Sequence, residues 1–419
     1  MYFCFFVLLH LSTINVFAQQ FNFGLDPDSG RSIEQLVHSH GYTLETYSIT
    51  TEDDYILTLH RIVPRHYCPT SYNRNRKAVI VQHGLFGAST DFLINAPYIN
   101  DSSKENDNFA FALLRSDQYD VWLPNTRGND YSQQHVHWSK NVNTEQMEQL
   151  EYWNFSFDHI ARYDLPAILM KVCQISNSTK VAYVGYSQGA TSMFALLSSK
   201  PEIAQMIEPF VAWAPVVYMQ HIESPFRFLA PMSSVLRSIG NRFAPSSSLI
   251  SAWSHPLCKL PSMMYICSNA LFMFGGFDTE HLNSTRLPVY FHFTPATVST
   301  WQVVHYLQLI KSNRFQHFDH EKLINIERYG SEQPPEYNLN RISPNITIVF
   351  IRSQNDYLSS IPDTDRLIQE LRNRSHLANV VDHLIDDPVW SHLDFTLGIG
   401  AGKQVYQPTI NYLNQFIYD

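Results

Sequence analysis

The stretch Val181-Ala182-Tyr183-Val184-Gly185-Tyr186-Ser187-Gln188-Gly189 decides the fold. It opens with four apolar residues typical of a buried strand, and apolar residues recur after it at the spacing of a packed helix, at Ala190, Met193, Phe194 and Leu197. A serine on a tight strand-to-helix turn presents its hydroxyl outward, and a glycine on each side relieves backbone crowding. The motif G-x-S-x-G occurs by chance in many chains, but in this context it predicts that Ser187 is a nucleophile.

Length and composition favour one large globular catalytic domain with a substantial insertion. The 419 residues are 44% hydrophobic and 16% charged, and no internal repeat divides them. The formal charge of -9 argues against a nucleic-acid partner, because a phosphate-binding surface normally carries a basic excess. The 19 histidines would add positive charge below about pH 6.5, as in an acidic lumen, although most are expected to be scattered, solvated side chains.

The N-terminal segment 1–18, MYFCFFVLLHLSTINVFA, is typical of a secretory signal peptide. Polar residues between 10 and 15 interrupt its apolar run, which argues against a membrane-spanning helix. An uncleaved anchor remains an alternative because the basic start of a signal peptide is missing. We expect a mature chain without a transmembrane segment, in a lumen or outside the cell.

Glycosylation sequons agree with passage through a secretory compartment, although each alone is a chance-level match. They begin at Asn100, Asn154, Asn177, Asn283, Asn345 and Asn373. Asn345 lies close to a predicted strand, which argues against its use.

The cysteine pattern fits an oxidising compartment. Cys4 leaves with the signal peptide, and Cys258 and Cys267 are close enough in sequence for a local disulfide. Cys68 and Cys173 either pair or stay free. Since no spacing of ligands resembles a metal site, we expect neither a metal nor a cofactor.

Short apolar runs alternate with helical or polar segments along most of the chain. A hairpin is predicted from 41–49 and 55–62, and further strands are predicted at 78–82, 119–123, 181–184, 210–213, 346–351 and 379–385. Nearly continuous apolar strands separated by helices indicate a mostly parallel sheet covered by helices on both faces. The predicted fold class is therefore α/β, with the architecture of an α/β-hydrolase.

The alternation stops between 216 and 340, where the chain is rich in Phe, Met, Leu and Pro. We interpret this segment as a helical cap inserted into a core domain formed by 19–215 and 341–419. Its apolar residues either pack within the cap or line an acyl site and a lipid-seeking surface.

A nucleophilic serine needs a histidine base, and that base needs a carboxylate to orient it. In this fold the chain order is serine, acid, histidine. Asp356 follows the predicted strand 346–351 directly, and His392 follows the last strand. Other carboxyls lie further from that strand end and are expected to be structural, namely Asp363, Asp365, Asp386 and Asp387. His376 and His383 are likewise expected to be structural.

Two backbone N–H groups are expected to stabilise the oxyanion of the tetrahedral intermediate. One belongs to Gln188, after the nucleophile, and the other to Leu85, after the third strand. Gly84 lets this loop approach the site closely. His83 is expected to support the loop through hydrogen bonds.

Several motifs together resemble the acid lipase family of gastric, lingual and lysosomal lipases. They are GYSQG at 185–189, QHGL at 82–85, YDVWLPNTRGN at 119–129, WNFSFDHIARYDLPA at 153–167, CSNALFMFGGF at 267–277, NSTRLPVY at 283–290, NDYL at 355–358 and HLDF at 392–395. The resemblance covers nearly the whole mature chain. Where many relatives carry a further cysteine in the cap, this chain has Gly275.

Members of that family hydrolyse triacylglycerols or cholesteryl esters under a helical cap, need no metal, and are secreted or lysosomal glycoproteins. The resemblance thus implies a triad of Ser187, Asp356 and His392, an oxyanion hole at Leu85 and Gln188, and a cap disulfide between Cys258 and Cys267. It implies a neutral lipid substrate at a lipid–water interface. A non-catalytic lipid carrier and a hydrolase of small soluble esters remain alternatives, and the oligomeric state stays open.

Overall fold

The computed structural model describes residues 26–66, 76–95, 108–137, 151–239, 242–243, 275–276, 278, 280–374 and 379–417. Several predictions fall outside these residues: the signal peptide 1–18, Cys68, the Cys258–Cys267 disulfide, the sequon at Asn100 and His376.

A large sheet of nine strands forms the centre of the described part. Its strands are β1 Tyr42–Thr50, β2 Tyr55–Pro64, β3 Lys77–Gln82, β4 Tyr119–Pro124, β5 Gln134–His135, β6 Val181–Tyr186, β7 Ile207–Trp213, β10 Ile348–Arg352 and β11 Val380–Leu384. The order is β1-β2-β4-β3-β6-β7-β10-β11, with β5 on β2. The pairs that involve β1 or β2 are antiparallel and all later pairs are parallel. The predicted α/β-hydrolase sheet, begun by a hairpin, is confirmed.

The helices of the described residues cover both faces of this sheet and make up much of the segment 216–340. They are α1 Ile33–Ser39, α2 Phe109–Arg115, α3 Phe157–His159, α4 Leu165–Ser176, α5 Gln188–Ser199, α6 Ser233–Ile239, α7 Leu287–Phe293, α8 Thr300–Ser312, α9 Lys322–Tyr329, α10 Ile361–Arg374, α11 Asp394–Leu397 and α12 Gln407–Phe416. A π-helical turn at Ile160–Asp164 joins α3 to α4, and another at Gly402–Tyr406 leads into α12.

Alternate residues of each strand enter two separate hydrophobic cores. On β6, Val181 and Tyr183 pack into the core beneath α4 and α5, whereas Ala182 and Val184 pack into the core beneath α1, α2 and α12. Successive strand side chains point to opposite faces, so a strand between two helical layers must be apolar along its whole length. This requirement is the reason why the strands are nearly continuous apolar runs in the sequence.

Residues 216–340, between β7 and β10, are mainly helical where described. They contain α6 to α9 and a 3₁₀ helix at Pro225–Met232, with a small core around Ala230, Val303 and Leu307. They also contain an antiparallel pair, β8 Arg242–Phe243 and β9 Val298–Ser299. Two residues per strand are too few for a period-2 pattern, so the sequence could not predict this pair.

The turn at Ser187 is tight because β6 runs directly into α5. Ser187 has φ 53° and ψ -116°, a backbone conformation that residues other than glycine rarely adopt. A Cβ atom on Gly185 would lie 2.8 Å from the Ala190 nitrogen, and one on Gly189 would lie 2.6 Å from the Gln82 oxygen. The flanking glycines are thus required by close packing of backbone, as the sequence predicted.

Candidate active site

The structure brings Ser187, His392 and Asp356 together in one buried chain of hydrogen bonds. The His392 Nε2 atom lies 2.9 Å from the Ser187 Oγ atom, and the Nδ1 atom lies 2.7 Å from Asp356 Oδ2. A carboxylate on Nδ1 keeps the proton on that nitrogen, which leaves Nε2 free to accept the serine proton. The arrangement can therefore activate the Ser187 hydroxyl as a nucleophile.

The backbone after β10 fixes the orientation of the Asp356 carboxylate. Its Oδ1 atom accepts hydrogen bonds from the N–H groups of Leu358, at 2.9 Å, and Ser359, at 2.7 Å. The rival carboxyls have other partners. Asp363 bonds to His221 and Asp365 to Arg352, so neither approaches His392.

The loop that carries His392 is held by groups that sequence reasoning missed. The Tyr186 hydroxyl donates to the His392 carbonyl oxygen over 2.8 Å. The carbonyl oxygen of Gly275 accepts the N–H groups of His392, at 3.1 Å, and Tyr357, at 3.3 Å. Gly275 thus joins the acid loop to the histidine loop, and a Cβ atom there would lie 2.9 Å from Leu393 Cγ. The only sign of this contact in the sequence is the glycine itself at position 275.

Leu85 and Gln188, expected to donate to the oxyanion, both flank the nucleophile. Gln188 is the first residue of α5, so its N–H group has no acceptor within the helix. Leu85 follows β3 and lines the same cavity as Ser187. Gly84 permits this approach, because a Cβ atom on it would lie 3.0 Å from Ser187 Cβ.

His83 supports the loop that carries Leu85 through hydrogen bonds to neighbouring backbone groups. Its Nδ1 atom lies 2.8 Å from the Gly84 carbonyl oxygen, and its Nε2 atom accepts the N–H of Thr126 over 3.2 Å. Burial lowers the pKa of His83 to about 4, so the ring is neutral over most of the pH range. This geometry matches the supporting role expected from the sequence.

A cavity of about 550 Å³ opens at Ser187 and His392. Its volume is in the range of small-molecule sites. Apolar side chains from both the sheet loops and the segment 216–340 line it, including Leu85, Phe226, Leu229, Phe243, Phe291 and Leu358. The cavity can therefore receive an apolar group next to the reactive hydroxyl.

One carboxyl, Asp91, also lines this cavity, and the sequence carried no signal for it. It lies on the 3₁₀ helix Ser89–Phe92, and its Oδ1 atom accepts the Ala88 N–H over 3.3 Å. Burial raises the pKa of Asp91 to about 7, because desolvation disfavours the charged form. Below that pH the carboxyl is mostly protonated, which keeps the cavity wall uncharged.

Comparison with known proteins agrees with this geometry. A family model described as a partial α/β-hydrolase lipase region matches residues 33–96, and one described as the α/β hydrolase fold matches 77–207. The chain is 32% identical to gastric triacylglycerol lipase of Mus musculus over 389 residues, which cover 92% of each chain. It is 31% identical to lipase member K of Homo sapiens, over 94% of this chain and 93% of that one.

The chain belongs to the acid lipase family. It is accordingly a carboxylic ester hydrolase. Lipase lipl-1 of Caenorhabditis elegans is a further relative, 31% identical over 96% of each chain. A candidate lipase from Sulfolobus solfataricus has a similar fold, with a TM-score of 0.53 at 12% identity over 90% of this chain and 95% of that one.

The exposure of the sequon asparagines of this lipase indicates which of them are suited to carry a glycan. The side chains of Asn154, Asn177, Asn345 and Asn373 are exposed, whereas Asn283 is only 2% exposed and is the least suited to carry a glycan. Cys173 has no disulfide partner among the described residues. Within the same residues, no helix combines the length and apolar character needed to cross a bilayer.

The raised pKa of Asp91 predicts a pH-dependent contribution to the stability of this lipase. The folded state holds the proton more tightly than the unfolded state, so this contribution is complete below about pH 4 and is lost as the pH rises towards 7. The slope is at most about 1.4 kcal/mol per pH unit. The Asp91→Asn side chain stays neutral at every pH. We therefore expect this variant to lack the Asp91 contribution to the pH dependence of the free energy of unfolding, measured by urea denaturation between pH 4 and 7.

Asp117→Asn is the matched control, because the Asp117 side chain is 79% exposed and lies at φ 58°, which asparagine tolerates, and its partner Arg76 keeps its charge over this pH range. Identical pH slopes for the wild type and the Asp91 variant would contradict the assignment.

Proposed function

We propose that the chain is a lipase that hydrolyses carboxylic ester bonds of neutral lipids, triacylglycerols or cholesteryl esters, through a Ser187 acyl-enzyme. The observation that carries the proposal is the continuous path from Asp356 through His392 to Ser187, with hydrogen bonds of 2.7 and 2.9 Å, beside an apolar cavity. Chemistry of this kind needs a nucleophile, a base and an orienting carboxylate within hydrogen-bond reach of one another.

In the proposed reaction the Ser187 oxygen attacks the ester carbonyl carbon while its proton moves to His392 Nε2. The negative charge that develops on the carbonyl oxygen is stabilised by the N–H groups of Leu85 and Gln188. When the tetrahedral intermediate collapses, the carbon–oxygen bond to the alcohol breaks and the imidazolium returns the proton to that alcohol. Water, deprotonated by His392, then releases the carboxylic acid and regenerates Ser187.

A neutral lipid is the substrate that the cavity and the relatives favour. The lining is apolar, and Asp91 adds no charge below about pH 7. The mouse relative is named a triacylglycerol lipase. An acyl chain in such a cavity gains about 0.8 kcal/mol per buried CH₂ group, whereas a charged substrate would lose its hydration.

The segment 216–340 is proposed to act as a cap that controls access to Ser187. It supplies Phe226, Leu229 and Phe243 to the cavity, while Phe228 and Met232 of the same segment are 70% and 48% exposed. Exposed apolar side chains beside a binding cavity are typical of a surface that contacts lipid. With the signal-like segment 1–18, these features support action outside the cell, or alternatively in the lysosomal lumen.

Replacing the triad residues tests the mechanism. Ser187→Ala should lower turnover by about 10³-fold or more, because only the chemical step is lost. Asp356→Asn and His392→Ala should each remove most activity, and combining either with Ser187→Ala should add little, since the three residues act as one unit. Initial rates on emulsified triolein and circular dichroism of each variant measure this.

Asp363→Asn is the matched control, since this carboxyl lies close in sequence but bonds to His221. Independent, multiplicative losses among the triad variants, or a tenth of wild-type activity in the Ser187 variant, would exclude the proposed mechanism.

The exposed cap residues predict dependence on the lipid interface. Phe228→Ser combined with Met232→Ser should reduce hydrolysis of emulsified long-chain triacylglycerol several-fold but leave a short, water-soluble ester nearly unaffected. The reason is that the variant loses apolar contact with the emulsion rather than any group near Ser187. Leu323→Ser is the control, because Leu323 on α9 is 82% exposed but does not line the active-site cavity. Equal losses on both substrates, or the same loss in the control, would contradict this role.

A further inference from the structure

Three potential metal ligands meet beside the loop that carries His392. Asp278 and His281 belong to the segment 216–340, and Asp394 begins α11, two residues after His392. One ligand atom from each lies within 4.8 Å of the other two. Both carboxyls are only 1% exposed, so water does not stabilise their charge. We refer to Asp278, His281 and Asp394 as the acid–histidine cluster.

The hydrogen bonds of the cluster leave one carboxylate oxygen without a donor. Asp278 Oδ1 accepts the N–H groups of Glu280 and His281, and its Oδ2 atom lies 2.5 Å from His281 Nδ1. Asp394 Oδ2 accepts the N–H of Ser391 over 2.6 Å. Asp394 Oδ1 is buried and receives no N–H or hydroxyl donor, and the carboxyl that lies within hydrogen-bond reach of Asp394 is that of Asp278. Burying such an atom is costly unless a cation or proton approaches it.

Acidic groups predominate around this oxygen, and burial together with the neighbouring Asp278 carboxyl raises the pKa of Asp394 well above its usual range. A third carboxylate, Asp387, places its Oδ2 atom 3.3 Å from His281 Nε2. No lysine or arginine of the described residues forms an ion pair with Asp278, Asp387 or Asp394. Among the described ion pairs, His281 is thus the one cationic partner of Asp278 and Asp387, and Asp394 has none.

We propose that the acid–histidine cluster binds a divalent transition-metal ion, for which Zn²⁺ fits the donors best. One imidazole nitrogen and two carboxylate oxygens are ligands that Zn²⁺ accepts, with water as the fourth. Ca²⁺ and Mg²⁺ prefer oxygen ligands alone. A metal-bound histidine typically donates its second N–H group to a carboxylate, and Asp387 stands where it would accept that proton from His281 Nε2.

The ion would tie the cap to the catalytic histidine without entering the reaction. The two segments already touch on either side of the cluster, since Gly275 accepts the His392 N–H and His281 accepts the Ile399 N–H through its carbonyl oxygen. A metal between Asp278, His281 and Asp394 would add a bond between segments that are distant in sequence. It would therefore stabilise the position of His392 against local unfolding.

Metal binding to the full chain tests the proposal independently of ester hydrolysis. Protein treated with EDTA and dialysed should take up one Zn²⁺ per chain in calorimetry, and its unfolding temperature should rise by several degrees. His281→Ala and Asp278→Asn should each weaken this binding by about 100-fold or more, and Asp387→Asn by about 10-fold. Asp278→Asn keeps the size of the side chain, so the test remains decisive if His281→Ala fails to fold.

His221→Ala is the control, because His221 pairs with a single carboxyl, Asp363, that does not belong to the cluster. It should bind Zn²⁺ like the wild type. The proposal is wrong if the metal-free protein neither takes up an equivalent of Zn²⁺ nor gains stability, which would mean that a proton satisfies Asp394. It is also wrong if the cluster variants bind as the wild type does, or if Ca²⁺ binds in preference to Zn²⁺.

Discussion

The backbone conformation of Ser187 is the constraint on which the rest of the site depends. A residue held at φ 53° and ψ -116° costs about 1–3 kcal/mol and persists only where its surroundings hold it. Here the Ser187 N–H donates to the Trp213 carbonyl oxygen of β7 over 2.9 Å, and α5 begins at the next residue. The position of the hydroxyl is thus set by the sheet rather than by a mobile loop.

Parallel strands bring the other groups to the same place. The loops after β3, β6, β10 and β11 carry Leu85, Ser187, Asp356 and His392, and each loop leaves the carboxyl end of its strand. Ligands in open α/β sheets bind outside these ends. The order of strands in the sheet therefore converts four distant stretches of sequence into one site.

The position of the site at the carboxyl ends of the strands explains which site residues the sequence can predict. The strands are recognisable as apolar runs, and the sequence predicts Asp356 and His392 as site residues because each follows one of these runs. The contacts of Tyr186 and Gly275 with the histidine loop depend on tertiary packing that leaves no local pattern. The same holds for Asp91 in the cavity wall and for the acid–histidine cluster, whose members Asp278 and Asp394 lie far apart in the chain.

Some family motifs serve the fold rather than the chemistry. Arg127, in the motif YDVWLPNTRGN, is fully buried and bonds to Asp164 over 2.8 Å and to Asp53 over 2.6 and 2.8 Å. It thereby joins the loop after β4 to the hairpin and to the start of α4. Removing one partner of a buried ion pair typically costs about 3–5 kcal/mol of folding stability. The stability of the fold therefore accounts for an arginine at this position.

Covalent labelling tests the central claim, that Ser187 is activated by His392, most directly. A phosphonate ester with a long alkyl chain should add once per chain, because an activated serine attacks phosphorus and expels the leaving group. Intact-mass measurement and peptide mapping should place the adduct on Ser187, and His392→Ala should abolish it while the fold persists. A label on another serine, or equal labelling of the His392 variant, would contradict the account.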